Sequence, residues 1–223
     1  VTRHEMPFEL LRYPIHDPNL SAFTFVREGR MFVVVNSALP LAQQIFATAH
    51  ELYHIYCYFE RSDKSLLQVF SFLETKDIDG MFTLEDLEAN AFAGMLLAPK
   101  DRLEEQSAIY HLSYKNPSIQ LVLKVMDIFG IPYKATVLRL FEEDKIDKKT
   151  AIKLLEISDD EINKQIEVTG QSERWQGNTL MSIRFGSLNE TMFEMEQWEG
   201  ITEERLKSDK ERIEKLVRLL MQK

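Results

Sequence analysis

The apolar positions gather first in two short runs near the N-terminal end. Residues 23–28 (FTFVRE) and 31–36 (MFVVVN) are rich in β-branched and aromatic side chains, with Gly29 between them. That pattern predicts a β-hairpin. Asn36 and Ser37 end the second strand, and Pro40 stands where a helix can begin. From Leu41 to Phe59 the run LAQQIFATAHELYHIYCYF is apolar on nearly every face, as expected of a buried helix. Residues 60–82 read as a loop around the apolar piece LLQVFSFL, with turn chemistry at Asp77, Asp79 and Gly80. Thr83 is the predicted N-cap of a second helix, LEDLEANAFAGMLLA, with Asp86 three residues on and Pro99 as its stop. Further helices are predicted over 118–129, 133–143 and 148–157, the first two separated by Gly130-Ile131-Pro132. Residues 158–200 are polar and mixed and carry no assignable period. Residues 202–222 form a charged amphipathic helix with Leu206, Ile213, Leu216, Val217 and Leu220 on one stripe.

Composition narrows the function classes. A length of 223 residues with a hydrophobic fraction of 44% suffices for a substantial core. The net charge of −9, from 27 basic and 36 acidic residues, opposes broad binding to nucleic acid or anionic membrane. No apolar run is long enough to span a bilayer. The first residues, VTRHEMPFELLRYPIHDP, have charges and prolines where a signal peptide needs an apolar stretch. A single cysteine, Cys57, admits no intrachain disulfide. These features give cytoplasmic residence as the expectation.

The polar residues inside the buried helix are the informative ones. His50-Glu51-Leu52-Tyr53-His54 is an H-E-x-x-H pattern. Residues four apart in a helix lie about 40° apart around the axis and about 6 Å along it, so two imidazoles can converge on one ion. Glu51 sits on the flank, where it reaches a metal-activated water rather than the metal and can take its proton. Five residues with three fixed positions arise by chance, but two histidines and a glutamate buried without partners would cost several kcal/mol. Bound zinc satisfies them.

A catalytic zinc needs a third protein ligand. In one zinc pattern a third histidine follows six residues after the second. Here that position is Glu60, with Cys57 where a glycine belongs; Glu60 lies about 15 Å along the helix from His50, out of reach. The second helix offers Glu85, Asp86 and Glu88. Helical phase favours Asp86, which shares a face with Asn90, whereas Glu88 points about 160° away. Glu85 and Glu88 otherwise read as a solvated face. Asn90 is the candidate to hydrogen-bond a ligand. His4, His16 and His111 are isolated and read as surface or loop residues.

HELYH followed by DLEANAFAGMLLAP resembles the ImmA/IrrE metallopeptidases of bacteria and their mobile elements. Asn36, FATAHELYH and EANAFAGMLLAP match that family's pattern in order, over about residues 1–157 and most strongly over 31–99. The resemblance implies a glutamate ligand four residues before the Asn; here the position holds Asp86, a departure with one methylene less reach. The implied fold is α+β: a small antiparallel sheet on a helical zincin-like core over 1–115, with a helix-turn-helix-like segment over 116–157 packed on it; residues 158–223 lie outside the resemblance and read as a mainly helical extension of unknown role. The implied function is a zinc endopeptidase with Glu51 as general base, cleaving a specific protein, typically a helix-turn-helix transcriptional repressor. The competing reading is a zinc-containing binding module that sequesters a regulator without cutting it. A third is a DNA-binding regulator using 118–143. That segment has only Lys134 and Arg139 on its second helix, followed by Glu142, Glu143 and Asp144, so it reads as packing rather than DNA contact.

Overall fold

The computed structural model describes residues 8–17, 19–27, 29–60, 70–73, 84–170, 175–176, 183–197 and 200–221. The expected hairpin is present as β2 (Leu20–Arg27) and β3 (Arg30–Asn36), antiparallel in register Ala22↔Val35 to Arg27↔Arg30. β1 (Phe8–Tyr13) lies on the other side of β3, and β4 (Phe70–Leu73) pairs antiparallel with β2. β5 (Arg184–Phe185) closes the far edge against β1, giving the order β4-β2-β3-β1-β5.

The α+β class is as expected, but the sheet is mixed. β1 runs parallel to β3, from Phe8↔Met31 to Tyr13↔Asn36. β2 and β4 leave one edge of β3 open, and β1 takes it in the same direction as β3. β4 falls within the segment read as a loop. The turn residues Asp77, Asp79 and Gly80, and the N-cap expected at Thr83, lie outside the described residues.

Asn36 explains how the sheet hands over to the helix. Its Oδ1 accepts from the amides of Ile15 and Ala38 at 2.9 and 3.0 Å, and its Nδ2 donates to the carbonyls of Leu20 and Asp17 at 2.9 and 3.2 Å. One buried amide thus ties the β1–β2 connection to the turn after β3. Gln44 then fixes the first turn of α1 (Leu41–Glu60): its Nε2 donates to the Leu39 carbonyl at 2.6 Å, and its Oε1 accepts from Arg12. Ala47 and Ile55 of α1 pack on Ala22, Met31, Val33 and Val35, so the helix lies along one face of the sheet.

α2 (Leu84–Leu97) packs against α1 through small residues; Ala89 and Ala93 are fully buried. α3 (Lys100–Ile109) follows Pro99 directly. α4 (Ile119–Phe129) and α5 (Tyr133–Glu142) form the expected helix pair. Between them Gly130 takes φ +66°, a left-handed cap that favours glycine, and its amide bonds the Met126 carbonyl. α6 (Lys148–Leu155) and α7 (Asp159–Val168) begin with side-chain caps from Asp147 and Ser158. Ile162 and Ile166 of α7, with Trp175, share one core with Val122, Val125, Met126 and Leu154. α8 (Leu188–Gln197) and α9 (Glu203–Met221) complete the described chain, and neither buries a residue fully. No helix is long and apolar enough to cross a membrane among the described residues.

Candidate metal centre

α1 carries His50, Glu51 and His54 to its buried centre, where they are 0, 0 and 2% exposed. The i, i+4 spacing turns both imidazoles the same way: their Nε2 atoms stand 3.0 Å apart. α2 supplies Asp86 from its first turn, with Oδ1 4.0 Å from His50 Nε2 and 3.7 Å from His54 Nε2. These three form the cluster of possible metal ligands found among the described residues. Two donors at 2.0–2.1 Å from one zinc ion are at most about 4.2 Å apart. All three separations meet that limit, so the residues fit the metal.

The short reach of an aspartate is met by close helix packing. Asp86, Ala89 and Ala93 lie on the side of α2 that faces α1, and the alanines let the two backbones approach. Asp86 faces the two histidines. The neighbouring acids face elsewhere. Glu85 Oε1 is 3.0 Å from His54 Nδ1, on the outer side of that ring. Glu88 is exposed and accepts a hydrogen bond from the Tyr53 hydroxyl at 2.7 Å. Asn90 Oδ1 is 3.0 Å from His50 Nδ1. Each histidine thus gives Nδ1–H to an oxygen, which leaves Nε2 unprotonated and aimed at the shared point. Burial and the neighbouring His54 push the His50 pKa down to about 4, so this ring is neutral and ready to ligate at pH 7.

Glu51 is held differently. Thr24 Oγ1, from β2, donates to its Oε2 at 2.6 Å, while Oε1 has no hydrogen-bond partner among the described residues. Burial is the main cause that pushes its pKa up to about 8; the Thr24 hydrogen bond opposes the shift and the Asp86 charge adds to it. Two roles were not read from the sequence. Thr24 is polar at an inward position between Ala22 and Val26, and that polarity was the available signal. The Glu85 contact with His54 is not legible in the sequence, because phase on one helix does not show which ring edge the other helix presents.

His16 and His111 are exposed, as expected, and His4 lies outside the described residues. Glu60 is exposed at the end of α1, far from the cluster. On α5, Arg139 is turned inward: its Nε donates to the Ala98 carbonyl at 2.9 Å and its guanidinium pairs with Glu143 at 2.7 Å. Lys134 pairs with Asp159 at 3.6 Å. Both basic groups of α5 are thus paired with groups of the protein itself.

A sheet, a buried helix with two converging histidines, and an acid from the next helix define the metallopeptidase class. The family model of the IrrE N-terminal-like domain, peptidase family M78, matches residues 5–141. The chain belongs to that family. A search among curated proteins finds no match.

Proposed function

We propose that the protein is a zinc-dependent endopeptidase acting in the cytoplasm on one specific protein, a helix-turn-helix transcriptional repressor. The carrying observation is the convergence of His50, His54 and Asp86 beside Glu51, whose Oε1 is buried and has no partner among the described residues. His50, His54 and Asp86 would hold the ion. Zinc supplies a Lewis acid that polarises a peptide carbonyl and makes water a nucleophile at neutral pH.

The remaining work falls to the chain. Asn90 and Glu85 fix the tautomer and tilt of the two imidazoles. Thr24 anchors one oxygen of Glu51, which leaves the other to take a proton from the attacking water and pass it to the leaving amine. The surrounding apolar helix face excludes bulk solvent and strengthens these interactions. The substrate class is supported by the resemblance to ImmA/IrrE peptidases.

The test is Glu51→Gln, nearly isosteric with the native side chain. Zinc content and affinity for the repressor stay unchanged, and cleavage falls by about 10²–10⁴-fold. The readout is mass spectrometry of the co-expressed repressor encoded nearby, with a pull-down for binding. Equal cleavage by both proteins overturns the mechanism. Cleavage by neither, with undiminished binding, moves the reading to sequestration without cutting.

A further inference from the structure

A cavity of about 410 Å³ lies one helical turn from the metal ligands, between α1, α2 and α5. Its wall is mainly apolar, built from Phe46, Leu87, Ala91, Ala135 and Leu138, with Gly94 leaving depth between them. Four positions join it to the centre already described. Asn90, which holds His50 Nδ1, also lines the cavity. Leu87 directly follows Asp86, and Phe46 precedes His50 by one turn of α1. Ser21 brings in β2, the strand whose Thr24 holds Glu51.

The lining does not close on itself. Leu87 is 51% exposed and Leu138 43% exposed, although both border an apolar space. Small residues at 91, 94 and 135 are what keep that space open. A Cβ added at Gly94 would meet only the Arg139 side chain, at 3.6 Å. An apolar recess of this size, sharing a wall residue with a catalytic centre, suits one large side chain of a bound molecule.

The geometry points to this cavity as the specificity pocket of the peptidase, receiving a large aliphatic or aromatic side chain of the substrate beside the bond that is cut. The inference rests on the peptidase reading above and adds the residue class that the enzyme selects. Leu87, Ala91 and Leu138 are the residues that set the selection, since they border the space without touching the metal ligands' hydrogen bonds.

Straight-chain hydroxamates test it without any substrate, because the hydroxamate group chelates zinc and the alkyl chain probes what lies within reach. Binding of acetohydroxamate, butanohydroxamate, hexanohydroxamate and octanohydroxamate to the zinc-loaded full chain is measured by calorimetry. Affinity should rise by up to about fourfold for each methylene that enters the pocket. Ala91→Phe, which fills the recess, should leave acetohydroxamate binding as it was and remove at least tenfold of the gain with octanohydroxamate. Leu138→Trp on the exposed wall carries the same test should Ala91→Phe fail to fold. If acetohydroxamate binds but longer chains bind no tighter, or if the gain survives both substitutions, the pocket assignment is overturned and the metal centre stands. If the protein takes up no zinc and binds none of the series, the peptidase reading itself is overturned, and the pocket with it.

Discussion

At the scale of single residues, the two oxygens of Glu51 have different surroundings, and this has a measurable consequence. In the metal-free protein the folded pKa, about 8, lies above the usual carboxylate value of 4.5. A raised carboxyl pKa means the folded state holds the proton more tightly. Its stabilising effect is full below the unfolded value and is lost as pH rises through the folded one. Between those limits, metal-free wild type should lose stability relative to Glu51→Gln by up to about 1.4 kcal/mol per pH unit. Urea unfolding in chelator from pH 5.5 to 8 checks this; parallel stability curves would show that Glu51 is not buried as described. The acids of α2 give a second residue-scale prediction. Asp86→Ala should lower zinc affinity most, Glu85→Ala and Asn90→Ala by about 10–100-fold through misoriented rings, and Glu88→Ala least. Competition with a zinc chelator ranks them, and a larger loss from Glu88→Ala than from Asp86→Ala would refute the ligand set. His50, Glu51, His54 and the Asp86–Asn90 face were legible because all these relations lie within single helices, where phase is fixed. Thr24 and the Glu85 contact cross between elements, and no periodicity reports on that.

At the scale of elements, legibility follows how much apolar surface a segment must bury. α1, α4 and α5 showed clearly because their buried sets repeat at helical spacing. α3, with Leu103 as its buried residue, and α7, with Ile162 and Ile166, leave too few apolar positions to define a stripe. β1 gave no alternating signal, since Phe8 and Leu10 are exposed on a strand with no fully buried residue. Arg139 shows how an element can suggest a function that its side chain is placed against. A cation on the second helix of a helix-turn-helix-like pair suggests DNA, yet here it clamps the end of α2 to α5 through Ala98 and Glu143. Arg139→Ala should cost about 3 kcal/mol, the lower end for breaking a buried pair, since Glu143 keeps some access to solvent. Denaturant midpoints read the loss. A reduced affinity for duplex DNA with unchanged stability would reverse the assignment.

At the scale of the whole molecule, the described residues of the segment beyond residue 157 are joined to the rest at two places. α7 and Trp175 complete the core of α4 to α6, and β5 extends the sheet beside β1. The second junction turns on Glu9, whose carboxylate accepts from the Ser187 amide at 2.8 Å and the Ser187 hydroxyl at 2.7 Å. Gly186 permits this contact: it has φ +56°, and a Cβ there would collide with the Glu9 carboxylate. The Ser187 side-chain bond, then its amide, hold the Glu9 pKa below 4.5. A depressed carboxyl pKa contributes stability that is present above the unfolded value and lost as pH falls through the folded one. The gap in urea midpoint between wild type and Glu9→Gln should therefore be full at pH 7 and close below pH 4.5. Gly186→Ala should free β5 and α8 at pH 7, read as faster proteolysis and amide exchange over 184–197. Zinc content should not change, because the metal ligands sit on α1 and α2, and Glu51 is held from β2, which β3 separates from β1 in the sheet. Loss of zinc in Gly186→Ala, with α4 to α7 still protected from exchange, would show that the β5 edge supports the catalytic centre and is not a separate attachment.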